Sequence, residues 1–90
     1  MVELNHNVVS FNSDTLIKGN HGVLVAVFVT KKGSGSNKIE FRNGTTASAT
    51  PVEFTIFTAA QGTYLGINRR FENGIFADCD GSAEVTVVFK

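Results

Sequence analysis

Gly22-Val23-Leu24-Val25-Ala26-Val27-Phe28-Val29-Thr30 is the longest unbroken apolar run in the sequence. It is too short to cross a membrane as a helix, which takes about 20 apolar residues. Its length alone suits either a buried helix or a strand buried on both sides. Valine, however, alternates at positions 23, 25, 27 and 29, and glycine stands at 22 and 33. β-Branched side chains fit a pleated surface. The run therefore reads as the central strand of an all-β domain.

Upstream, Val2 to Phe11 alternates loosely and reads as an N-terminal strand. Asn12 to Asp14 is a turn cluster, Thr15 to Lys18 a short strand, and Gly19 to Gly22 a second turn. Ser13 and Asp14 are capping residues, but Gly19 follows too soon for a helix to form. Downstream, Lys31 and Lys32 lead into a loop from Gly33 to Asn37. That loop has the glycines of a phosphate loop without its lysine-hydroxyl end or a following helix, so it reads as a hairpin loop.

Lys38 to Arg42 is the cleanest period-2 segment, with Ile39 and Phe41 expected inward and Lys38, Glu40 and Arg42 in water. Asn43-Gly44 signals a turn. Pro51, the single proline, can open a strand without removing a needed donor. Val52 to Thr58 then places Val52, Phe54 and Ile56 inward. Tyr64 to Phe71 reads as one strand in which Leu65 and Ile67 share a face. Asp80-Gly81 reads as a two-residue primed turn. It would pair Cys79 with Ser82, Asp78 with Ala83, Ala77 with Glu84 and Phe76 with Val85. Phe76, Val85, Val87 and Phe89 then share one face, and Ile75, Glu84 and Thr86 the other.

About eight short, mostly antiparallel strands and no amphipathic helix predict a small β-sandwich or jelly-roll-like barrel. Ninety residues make one domain, residues 1–90. Eight phenylalanines supply a core, and charged residues at 18% fall below the average of roughly 25%. A chain this short buries a smaller share of its surface than a large one, so an oligomer would add stability. The net charge is zero, and the only adjacent basic pairs are Lys31-Lys32 and Arg69-Arg70. That removes the electrostatic footprint of a nucleic-acid binder. The start Met1-Val2-Glu3-Leu4 has no signal-peptide pattern, which predicts synthesis in a cytosol and no membrane partner.

Reactive constellations are sparse. Asp78 and Asp80 point the same way from one strand end, but calcium takes six to eight oxygens, and a turn explains Asp80 as well. His6 and His21 stand alone in polar surroundings, a poor zinc set. The single cysteine, Cys79, excludes an intramolecular disulfide, and two neighbouring acids disfavour its thiolate. Tyr64 with Arg69 and Arg70 could form a sugar- or partner-binding patch. Consecutive strand residues face opposite ways, so one of the two arginines should point to the interior or to a neighbouring subunit. It would then need a carboxylate, and Glu53, Glu72 and Asp78 are the candidates. The residues predict no catalytic site, no metal site and no cofactor.

Phe71-Glu72-Asn73-Gly74-Ile75-Phe76-Ala77-Asp78, followed by Asp80-Gly81-Ser82-Ala83-Glu84-Val85-Thr86-Val87-Val88-Phe89, resembles the ending of small tailed-phage virion proteins. Lys38 to Thr46 resembles an upstream segment of the same group, and the likeness covers about residues 20–90. It implies a non-enzymatic virion part: a capsid decoration (cement) protein or a tail or fibre component, often a small all-β trimer. Implied partners are further copies of the chain and a major capsid or tail protein, with localisation in the virion. A small carbohydrate- or host-surface-binding module of a tail or fibre is the alternative. Tyr64 is its one non-phenylalanine aromatic, and the absence of tryptophan counts against it.

Overall fold

A computed structural model describes residues 6–33, 38–58, 62–80 and 83–90. Among them it contains nine strand segments and no helix. These are β1 (Asn7–Phe11), β2 (Thr15–Lys18), β3 (Gly22–Lys31), β4 (Lys38–Asn43), β5 (Val52–Phe57), β6 (Gly62–Tyr64), β7 (Arg69–Phe71), β8 (Ile75–Asp80) and β9 (Glu84–Phe89). Residues 2–5 of the expected first strand, and residues 34–37 of the expected loop, lie outside the described residues.

The strands form two antiparallel sheets. One runs β1-β9-β3-β6, with β7 also paired to β3, and the other runs β2-β8-β4-β5. β6 and β7 lie end to end along β3, so they count as one interrupted strand. With that strand counted once, the chain is an eight-strand double sheet whose neighbours are set by crossings from sheet to sheet. This is the jelly-roll arrangement, and the all-β expectation holds.

The central run is β3, flanked by β9 on one side and by β6 and β7 on the other. Its valines do not share one face. Opposite β9, Leu24 pairs with Phe89 and Ala26 with Val88, so Val25 is one residue too many. A bulge of this kind shifts the alternation by one. Leu24 and Val27, three apart, therefore both reach the core, each fully buried, while Val23 and Val25 stay half-buried.

β4 keeps its period. Ile39 and Phe41 are buried at 2% and 0% exposure, and Ile56, opposite Ile39 on β5, is buried beside them; Val52, expected inward, is turned by the bulge at Glu53 to the outer face, opposite Arg42. Burying a side chain such as Phe41 stabilises the fold by about 1.5–3 kcal/mol. The outward residues of β4 are not in open water, however: Lys38, Glu40 and Arg42 are all half-buried. Asn43-Gly44 does not make a tight turn, because residues 44–51 all lie between β4 and β5. Asn43 is instead a buried corner. Its amide donates to Glu53 Oε2 at 3.2 Å, and its Oδ1 accepts from the Asn73 backbone N–H at 2.8 Å. Gly74 (φ 132°) completes that corner, where a Cβ would stand 2.7 Å from the Gly44 carbonyl oxygen. Only glycine fits there without a shift.

Two expectations about strand pairing fail. The first is the C-terminal hairpin. β8 pairs with β2 and β4, whereas β9 pairs with β1 and β3, so the two strands lie in different sheets. The Asp80-Gly81 turn itself lies partly outside the described residues. An Asp-Gly signal is local, and the pairing that overrides it joins residues far apart in sequence. Across the sandwich, Ile75 and Ala77 of β8 and Val85 and Val87 of β9 enter one core, while Phe76 is only half-buried. The second is the strand from Tyr64 to Phe71. Tyr64 pairs with Val27 and Arg69 with Leu24. One chain thus advances five residues while its partner advances three. The surplus loops out with Gly66 at φ 66° and Asn68 at φ 47°. Leu65 is thrown into solvent at 72% exposure, and Ile67 packs on the core.

Candidate interaction surfaces

Glu40 on β4 lies directly opposite Asp78 on β8. Like charges facing across a strand pair repel, and Arg42 resolves the conflict. Its Nε donates to Asp78 Oδ2 at 3.0 Å, its Nη2 to Glu40 Oε1 at 3.2 Å, and its Nη1 to the Ala49 carbonyl at 3.1 Å. Lys38 Nζ adds a longer contact to Glu40 at 3.9 Å. Arg42 is 17% exposed, so this is a half-buried ion network on the outer face of its sheet. Period-2 alternation marks Arg42 as outward, but the cross-strand partner that half-buries it is invisible in the sequence.

The network accounts for Asp78, whose carboxylate is already held by Arg42. The side chain of Asp80 lies outside the described residues. Among the described residues, no three His, Cys, Asp or Glu side chains gather closely enough to hold a metal ion, and no cavity opens. His6 and His21 are both exposed. Cys79 faces the core, and its thiol is pushed up to about 12, chiefly by burial and then by the charges of Asp14 and Asp78. Its backbone N–H donates to Asp14 Oδ1 at 2.7 Å.

The residues proposed as a patch are not brought together as one. Tyr64 packs against the core, and its hydroxyl donates to the Phe57 carbonyl at 3.4 Å. Arg69 and Arg70 are both exposed, so of the two expected directions, the interior or a neighbouring subunit, neither arginine takes the first. Two of the candidate carboxylates are their partners: Arg69 Nη2 meets Glu53 Oε1 at 2.6 Å, and Arg70 Nε meets Glu72 Oε1 at 2.7 Å. The Arg69 hydrogen bond holds the Glu53 carboxyl below its ordinary pKa; burial opposes this, and the Arg69 charge and the Asn43 amide assist it.

What the sequence reading missed is where the exposed apolar side chains lie. Among the described residues, the large ones are Val8 (65%), Leu16 (49%), Phe57 (65%) and Leu65 (72%). Val8 is on β1 and Leu16 on β2; Phe57 ends β5 and Leu65 follows β6. All four strands are sheet edges. β5 and the β6–β7 strand lie on the same flank, tied by Glu53 to Arg69 and by Tyr64 to Phe57. β1 and β2 occupy the opposite edges, joined by the three-residue link 12–14. Each flank therefore carries one open edge from each sheet and two exposed apolar side chains. The sequence signal was faint: an apolar residue at an outward position of an edge strand.

No family model matches the chain, and no curated protein matches it. Among solved structures, the fold is similar to that of a chain from the Bacillus endospore appendages, a family of disulfide-linked pili. The likeness has a TM-score of 0.53 at 17% identity and covers 94% of this chain and 80% of that one. At this identity the likeness shows the fold.

Proposed function

We propose that the chain is a non-enzymatic structural subunit that works by associating with further copies of itself. The observation that carries this reading is the placement of every large exposed apolar side chain, among the described residues, on an open edge strand or, for Leu65, in the excursion that interrupts one. Exposed edges recruit other chains unless they are blunted, and apolar groups at an edge strengthen the contact. The fold shared with a pilus chain supports the same reading. Covalent linkage does not transfer with it. One cysteine per chain can join two copies and no more, and a half-buried thiol with a raised pKa is a poor reagent for disulfide exchange.

In its finer form, residues 1–90 are a single sandwich domain, and the subunit is a capsid decoration protein of a tailed phage that trimerises on a major capsid or tail protein in the virion. The resemblance of residues 71–89 to such proteins supports it. The binding-module alternative loses its main support, because the Tyr64 ring packs on the core and offers no exposed platform.

Light scattering and electron microscopy of the purified chain test the reading. A closed trimer is the expected result for decoration, and an open filament for an appendage. A monomer at every concentration up to the millimolar range would overturn self-association.

A further inference from the structure

The two flanks differ in strand content but match in chemistry. β1 is uncharged, and β2 contributes only Lys18, with Asp14 next to its start. On the other side β6 is uncharged, and the one charge of β5, Glu53, is neutralised by Arg69. Arg70 on β7 is likewise paired, with Glu72, so each flank balances its acidic against its basic residues around two exposed apolar side chains. Neither asks for a strongly charged partner, and neither repels the other.

The edges are also unequally blunted. β1 pairs with β9 from Asn7↔Phe89 to Phe11↔Val85 without a bulge, proline or charge. β2 carries a bulge at Ile17, β5 one at Glu53, and the β6–β7 edge is broken by the Leu65–Asn68 excursion. Bulges and charges are the usual protection of an edge strand, so β1 is the edge most open to pairing.

Resting on the structural-subunit reading, we propose that the β1/β2 flank of one copy seats on the β5/β6 flank of the next. Val8 and Leu16 of one subunit meet Phe57 and Leu65 of its neighbour, and the contact is heterologous. A heterologous contact closes into a ring if its rotation permits and otherwise runs on as a filament. One interface therefore generates either the trimer or the appendage, and only its angle separates them.

The test uses the full chain with one flank blocked at a time: Val8→Lys for the first and Phe57→Lys for the second. An unpaired lysine in an apolar contact is costly, so each variant alone should lose self-association at least about tenfold. Mixed one to one, the variants should form a dimer and stop there, because each retains the flank the other lacks. Leu16→Lys and Leu65→Lys form a second pair, used if either first variant fails to unfold cooperatively. A variant that alone keeps the wild-type mass, or a mixture that forms no dimer, overturns the head-to-tail contact while leaving self-association standing. A monomeric wild type overturns the underlying reading instead.

Discussion

On the outside of the β2-β8-β4-β5 sheet, a row of side chains runs from Leu16 through Phe76 to Arg42 and Val52, beside the facing carboxylates of Asp78 and Glu40. On the outside of the β1-β9-β3-β6 sheet, the corresponding row is Ser10, Thr86, Phe28 and Thr63, without a charge. Its one side-chain hydrogen bond joins Ser10 Oγ to Thr86 Oγ1 at 2.7 Å. Both sheets cover the same core, yet this row of one outer face depends on a specific cation and that of the other on neutral contacts, the charges of the second face, Lys31 opposite Glu84, standing at its end. The first should be intolerant of substitution and sensitive to charge, the second tolerant of both.

The inner faces should not share that asymmetry. Phe41 on the first sheet and Phe71 on the second are both fully buried. Truncating either to alanine should cost about 3–5 kcal/mol, a large part of the 5–15 kcal/mol typical of a domain. Urea unfolding of the two variants checks this. A much smaller loss for Phe71→Ala would mean that the short edge strand β7 collapses into the space, and that the sheets are not equal partners in the core.

Arg42 is the next largest effect. Arg42→Met leaves Asp78 and Glu40 facing one another without a cation, and the cost should be about 1–3 kcal/mol. Adding Asp78→Leu to that variant removes the stranded charge and should recover part of the loss, since replacing both partners can be nearly neutral. If the double variant is no better than the single one, the arginine acts through its Ala49 contact and not through charge.

These two sites also mark how far the sequence could be read. Ile39 and Phe41 were legible because a period of two needs only neighbouring residues. The all-β class was legible for the same reason, strand by strand. Arg42 was misread because its surroundings come from Asp78, 36 residues away. The C-terminal hairpin failed likewise: Asp80-Gly81 states a local preference, while β8 and β9 are claimed by strands from the first half of the chain. Leu65 was given the same face as Ile67 because the excursion that separates them depends on Asn68 adopting a positive φ, which that residue type tolerates without announcing.

Glu53 tests the seam between the faces. Among the described residues its bond to Arg69 is the one ion pair that joins the two sheets. The Glu53 pKa is lowered in the fold, so its contribution is present above the ordinary carboxylate value and is lost as pH falls through the lowered one. Glu53→Gln should therefore cost about 0.2–1 kcal/mol at pH 7, because Arg69 is half in solvent. It should also flatten the acid limb of a stability-pH curve. An unchanged acid limb would show that the Glu53–Arg69 bond adds nothing to the acid sensitivity.

The smallest effect is expected on the neutral face. Thr86→Val removes the hydroxyl that meets Ser10 and keeps the β-branched shape that suits a strand. Ser10 is exposed, so water replaces the lost partner and the change should stay within about 0.5 kcal/mol. The position matters because Ser10 lies on β1, the unblunted edge. If the hydroxyl pair only decorates the face, hydrogen exchange at Val9 and Phe11 will match the wild type. Faster exchange there with little loss of global stability would show that the pair holds β1 against β9. The neutral face would then be as specific as the charged one, through the strand it fastens and not through the bond it makes.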